Sequence, residues 1–146
     1  MRTKTIAMMI SLAMMSAAAT GRDSQKMYPL DDALNTPSAQ QKLDPDVKLY
    51  FGNQSHPNVV SKIGEWGTNK KTNAFGKSDK HACEWAFLSA ALTMQARAKT
   101  EGGNAVINIK SNYKNIETSS ETEYMCGAGA LMAGVALKGE VVKLAK

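Results

Sequence analysis

Three groups of residues have types and spacing that could do chemistry. Gly76-Lys77-Ser78 looks like the end of a phosphate-binding loop. That loop needs a further Gly five residues before the Gly-Lys pair, so that consecutive backbone N–H groups wrap the phosphates. Lys71 stands there instead, and no parallel-strand pattern precedes it. His81 and Cys83, with Cys126 and His56, have the donor types of a soft metal site. Gly127, Gly129 and Gly134 imitate a dinucleotide loop. The true fingerprint opens a helix and is followed about 20 residues later by an acidic residue, and only 12 residues remain after Gly134. None of the three patterns is complete.

Hydrolytic chemistry fares no better. His56 and His81 are the only imidazoles, and neither lies in a nucleophile motif such as Gly-x-Ser-x-Gly. The acidic pairs Asp31-Asp32 and Glu121/Glu123 read as solvated surface. What stands out is a basic stretch: Lys70, Lys71, Lys77 and Lys80 fall in a polar segment, 69–80, with Trp66 and Phe75 close by. Cations beside aromatic rings can grip an anionic component, and a loop on a rigid scaffold is where contacts are commonly carried. The residues point to no catalytic group, no cofactor and no metal centre.

The elements that must position these residues begin with an export signal. Met1-Arg2-Thr3-Lys4 is basic, 6–19 carries no charge, and Ala17, Ala18 and Ala19 are small. A basic start, an apolar run of about 7–15 residues and a small-x-small exit make a secretory signal. The expected cut follows Ala19, with Gly21 as second choice. Spanning a bilayer takes about 20 apolar residues, and this run is shorter; the longest later one, 127–137, has 11. No Cys lies near the cut, so a soluble product without lipid anchor or membrane span is expected, periplasmic or secreted. Arg2 and Lys4 leave with the signal, lowering the formal charge from +5 to +3, which is not the footprint of a nucleic-acid binder. The two remaining Cys, Cys83 and Cys126, read as a disulfide in an oxidising compartment; a free thiol and a metal pair are the competing readings.

The expected organisation is a signal over 1–19, an N-terminal segment with short helices over 20–46, and a single α+β domain over 47–146. Residues 20–29 look polar and frayed. Thr36-Pro37 is a cap followed by Pro at the first helical position. Val47, Leu49 and Phe51 alternate as in a strand, and 59–68 reads as a second, weakened or bulged at Gly64 and Gly67. The clearest element is a helix over 79–101, capped by Ser78 or Asp79 and stopped by Gly102-Gly103. Its middle, 83–94, is apolar almost all round, so it must be buried on most sides, with Trp85, Leu88 and Leu92 expected in the core. Strands follow at 104–110, with Ala105, Ile107 and Ile109 on one face, at 121–126, and at 135–144 with a break at Gly139. Strands on both sides of one helix predict a small antiparallel sheet packed against one long buried helix, with one disulfide.

From the helix onward the chain resembles a known family. Ala90-Ala91-Leu92 and Ala96 lead to Gly102-Gly103, then Asn104-Ala105-Val106-Ile107, and the chain closes on Ala133-Gly134-Val135-Ala136-Leu137. This pattern, over about 80–144, resembles the YbjQ-like group of small α/β domains, which includes the RcsF-like outer-membrane stress-sensor lipoproteins. The whole mature chain is similar to a set of small exported proteobacterial proteins of unknown role. The matching segments are Lys71-Thr72-Asn73-Ala74-Phe75, Cys83-Glu84-Trp85-Ala86, Thr122-Glu123-Tyr124-Met125-Cys126 and 132–139. That set often carries the description of an excinuclease ATPase subunit, which the incomplete phosphate loop does not support. The resemblance implies the fold and an envelope setting. The functional expectation is a non-catalytic exported binding module whose partner is an envelope protein or an anionic surface component; a small-ligand or metal binder is the alternative.

Overall fold

A computed structural model describes residues 22–146; the expected signal at 1–19 lies outside the described residues. Six strands and three helices follow in the order β1 (Ser24–Pro29), α1 (Leu30–Leu34), α2 (Pro37–Lys42), β2 (Lys48–Phe51), β3 (Val59–Asn73), α3 (Asp79–Thr100), β4 (Ala105–Ser111), β5 (Glu123–Ala128) and β6 (Met132–Leu144). The fold is α+β: one six-stranded sheet, one long helix packed on it, and one disulfide. β6 is the axis. β3 runs antiparallel along one of its edges, while β5 and β4 share the other; β1 lies beyond β5 and β2 beyond β4.

α3 starts and stops where its sequence dictates. Ser78 Oγ accepts the His81 N–H at 3.1 Å, satisfying one orphan donor of the first turn. At the other end Gly102 takes a φ of +82°, and the Gly103 N–H bonds the Ala98 carbonyl. Its sheet-facing side is rich in Ala, with Ala82, Ala86, Ala90, Ala91 and Ala98 all buried, so helix and sheet can approach closely. Phe87 and Met94 fill the larger gaps. Met94 fits because β6 carries Gly139 there: a Cβ at that position would lie 2.7 Å from Val106 and 3.2 Å from the Met94 methyl. β6 runs through Gly139 without the expected break.

Several expectations are corrected. Residues 24–29 are not frayed: they form β1, in register with β5 from Ser24↔Ala128 to Pro29↔Glu123. The described part of the N-terminal segment is thus built into the one sheet. Its polar residues show no alternation, and its partner lies about a hundred residues away, so nothing local announces it. The sheet is mixed, because β2 joins β4 in parallel. Ala105 and Ile107 do face one way, but Ile109 faces the other. Asn108 adopts φ +50° and the register shifts between Ile107 and Lys110, which turns Ile109 back towards α3 beside Val106. In α3, Leu88 is buried as expected, whereas Trp85 and Leu92 are only half-buried and lie outside the main core cluster. β3 does not end at Thr68 but continues to Asn73.

A buried polar clamp holds the approach to β2. The Gln95 side chain accepts the Asp44 N–H and donates to the Asp44 and Val47 carbonyls, at 2.8–2.9 Å.

Candidate functional site

The basic segment of the sequence is not a loop. From Gly64 to Asn73 it pairs with β6 in unbroken register, so successive side chains alternate between the two faces of the sheet. Trp66, Thr68, Lys70 and Thr72 turn to the α3 side and are half-buried; Glu65, Gly67, Asn69, Lys71 and Asn73 turn outward. Lys70 and Lys71 therefore cannot act as neighbours in one patch. Trp66 lies further back, with the Arg97 guanidinium over its ring at 5.7 Å. Lys80 is turned towards α1, where it pairs with Asp32 at 2.6 Å and its ammonium is held above its ordinary range by that carboxylate.

The remaining three nominated residues, Lys71, Phe75 and Lys77, lie at or next to one end of β3. β3 and β6 end together, with Asn73 opposite Met132 and the Ala74 N–H donated to the Leu131 carbonyl at 2.8 Å. The chain then makes a tight turn in which the Lys77 N–H bonds the Ala74 carbonyl and Gly76 takes φ +73°. Gly76-Lys77-Ser78 is thereby a turn and a helix cap. Phe75 projects from this turn with 73% of its surface exposed. The adjoining β5–β6 turn adds Leu131 at 64% and Met132 at 47%. Three of the five large apolar side chains left exposed among the described residues thus sit at one end of the molecule.

The charge at this tip is one-sided. Lys77 folds back to donate to the Asn73 carbonyl at 2.9 Å, and Lys71 stands on the outward face beside Gly134. Among the described residues neither lysine has a carboxylate within ion-pair distance. The acid near the turn, Asp79, is already engaged: Arg22 grips it at 2.8 and 3.0 Å and also bonds the Gly129 carbonyl. The Arg22 hydrogen bond holds Asp79 below the usual carboxylate range. Sequence reading found Phe75, Lys71 and Lys77 but missed Leu131 and Met132, which are far away in the chain. The signal for them was present: two large apolar residues directly after the turn sequence Gly129-Ala130.

The glycines near the C-terminus serve packing. Gly127 and Gly134 are directly paired, and the Tyr113 ring lies across them on the outward face. A Cβ at Gly127 would overlap that ring. Tyr113 donates its hydroxyl to Asp23, which Lys114 also grips, and the Lys114 hydrogen bond is the chief reason the Asp23 carboxyl sits below its ordinary range. The space a side chain would need at Gly127 is taken by a tyrosine from the outward face.

Cys83 and Cys126 are bonded to each other, with Cα atoms 5.9 Å apart and both residues fully buried. Their sulfurs are spent on joining α3 to β5. Among the described residues no group of three or more His, Cys, Asp or Glu side chains is placed to share a metal ion. His56 donates its Nδ1–H to the Pro57 carbonyl at 2.8 Å, and His81 Nε2 accepts the Trp85 indole N–H at 3.1 Å. His81 and Trp85 border an apolar groove of about 220 Å³ between α2 and α3, completed by Thr36, Pro37, Ser38, Glu84 and Leu88.

No helix among the described residues is long and apolar enough to cross a membrane. The chain matches no family model, no curated protein and no solved structure.

Proposed function

We propose that this protein is an exported, non-catalytic binding module of the bacterial envelope, and that its tip docks on an anionic lipid surface. The observation that carries this reading is the company kept by Phe75, Leu131 and Met132: exposed apolar side chains flanked by Lys71 and Lys77, with the nearby acid neutralised by Arg22. Moving a Leu, Phe or Met side chain out of water is worth about 1.5–3 kcal/mol when complete. A lysine near an anionic surface adds about 1 kcal/mol. Together these give reversible peripheral attachment without a span or an anchor. The buried disulfide and the export signal read from residues 1–19 support an oxidising compartment, as does the resemblance to RcsF-like envelope proteins. Protein recovered from the periplasm or medium should accordingly begin at Thr20 or Arg22 by mass.

The test is sedimentation of the mature protein with vesicles of phosphatidylglycerol and phosphatidylcholine, against vesicles of phosphatidylcholine alone. Binding to the anionic vesicles should weaken with added salt. Lys77→Glu should lower affinity severalfold and Phe75→Ser with Leu131→Ser at least tenfold. Equal binding by wild type and the double variant, or no binding to anionic vesicles, rejects the lipid assignment.

The second reading, a small-ligand binder, rests on the groove beside Trp85. An apolar floor with Thr36, Ser38, His81 and Glu84 at its margin suits a small amphipathic molecule, and a ligand there would change Trp85 fluorescence.

A further inference from the structure

β3 has a second edge. It pairs with β6 alone among the described strands, and among the described residues none bonds its backbone groups from Glu65 to Lys71 beyond that ladder. The Ala74 N–H points to β6, so in the unbroken register from Gly64 onward the even-numbered residues bond β6. The N–H and C=O groups of Glu65, Gly67, Asn69 and Lys71 therefore face away from it, into solvent. Such a row is a template for another strand. The inner-facing residues Trp66, Thr68, Lys70 and Thr72 are only half-buried, so α3 leaves this margin of the sheet uncovered.

The side chains on the strand select the partner. Two copies of β3 can pair antiparallel about a two-fold axis normal to the sheet only if opposing residues lie on the same face. Centring the axis on Thr68 sets Glu65, which already pairs with Lys138 of its own chain at 3.2 Å, opposite the second copy's Lys71, twice, on the outward face. It sets Lys70 opposite Trp66, twice, on the inner face, and Thr68 opposite itself. Centring on Gly67 or Asn69 leaves Glu65 facing Asn69 or Asn73, so that Lys71 gains no carboxylate. Centring on Lys70 or Lys71 drives like charges together, which is destabilising. The same centre also suits the backbone. Because Thr68 turns its N–H and C=O to β6, the Thr68 pair is a non-hydrogen-bonded one, flanked by the outward-pointing groups of Gly67 and Asn69. Glu65 pairs with Lys71 likewise, giving on the order of eight new backbone hydrogen bonds.

We infer that β3 is the interface of a symmetric dimer of this chain, in which the two sheets join through antiparallel β3 strands with Thr68 on the axis and Glu65 paired with Lys71 across it. The inference goes beyond the tip reading and does not rest on it; the dimer engages Lys71 and leaves Lys77 at the tip, and one is read by mass, the other by vesicle binding.

The test combines mass with a crosslink, on the mature, disulfide-intact chain. Wild type should sediment with twice the chain mass and dissociate on dilution. Opposed Cα atoms of a non-hydrogen-bonded pair lie about 4.5 Å apart, within disulfide reach, so Thr68→Cys should oxidise to a covalent dimer. Asn73→Cys on the same strand is about 33 Å from its copy at roughly 3.3 Å per residue and should not. Lys71→Glu should weaken dimerisation about tenfold, and adding Glu65→Lys should restore it. A single-chain mass at all concentrations, with Thr68→Cys crosslinking no better than Asn73→Cys, overturns the dimer. A dimer indifferent to Lys71→Glu overturns this register. Should a charge variant fail to fold, the crosslink comparison decides alone.

Discussion

The two long surfaces of β6 meet very different company. On the α3 side Ala133, Val135, Leu137 and Val141 are sealed under a helix whose buried face is mostly alanine, and the Cys83–Cys126 bond ties that helix to β5. Along the free edge lies β3, a 15-residue strand with three lysines and alternating polar residues, leading to an exposed aromatic turn. The first region is closed: its residues are explained by packing. The second is open, and packing explains neither an exposed Phe75 nor unpaired backbone along the strand. The residues that packing explains are thus separate from those of the proposed contact, which makes the two separable by substitution.

The sharpest test of the closed region is the disulfide. Its loop spans a sequence separation of 43, for which the chain-entropy model gives about 4 kcal/mol. Replacing Cys83 and Cys126 together by Ser should lower the unfolding free energy by about that amount in denaturant titrations, with reduced wild type as the control. A loss below about 1 kcal/mol would mean that the bond adds nothing to a region already fixed by packing.

Next comes the Gln95 clamp. Gln95→Leu keeps the volume but strands the Asp44 N–H and the Val47 carbonyl, and an unsatisfied buried group costs about 1–3 kcal/mol. The loss should appear in the unfolding midpoint and in faster amide exchange around residues 44–47.

Tyr124 gives a smaller effect of opposite sign. Its ring packs on Phe87 and Tyr28, but its buried hydroxyl has no partner, and burial pushes its ionisation well above the ordinary tyrosine range. Tyr124→Phe should be neutral or stabilising by up to about 1 kcal/mol. A clear destabilisation would reveal a role for that hydroxyl.

The smallest effect concerns the straps that hold β1. The folded pKa values of Asp23 and Asp79 are lowered, by Lys114 and Arg22 respectively. Their contribution is therefore complete above the unfolded carboxylate value of about 3.9 and is lost as pH falls through the lower folded values. Amide protection across residues 24–29 should weaken selectively in that acid range. Asp23→Asn with Asp79→Asn should flatten the dependence.

Legibility in the sequence followed the same division. α3, its Ser78 cap, its Gly102-Gly103 stop and the Cys83–Cys126 pair were readable because local signals and composition specify them. The Thr36-Pro37 helix start was readable for the same reason; Thr36 Oγ1 accepts the Ala39 N–H. β1 was not, because it is held by pairing with β5 and by the side chains of Arg22 and Asp23, all remote contacts. β3 was cut short at Thr68 because its second half is polar, yet an edge strand beside an apolar β6 needs few apolar residues of its own. The faces of β4 were misassigned past Ile107 because a single left-handed residue, Asn108, inverts the alternation. At the tip, Phe75 and the lysines were found as a local cluster, while Leu131 and Met132 became neighbours only through β3–β6 pairing.

On the proposed function, contact resides in the tip and stability in the covered face. The direct measurement is to determine both vesicle affinity and unfolding free energy for Phe75→Ser with Leu131→Ser, beside Met94→Ala in the core. The tip variant should unfold within about 0.5 kcal/mol of wild type, as exposed substitutions do, while losing at least tenfold in affinity for phosphatidylglycerol vesicles. Met94→Ala should lose about 2–5 kcal/mol of stability and, under conditions where it remains folded, bind vesicles as wild type does. A tip variant that binds undiminished, or that unfolds as readily as Met94→Ala, contradicts the account.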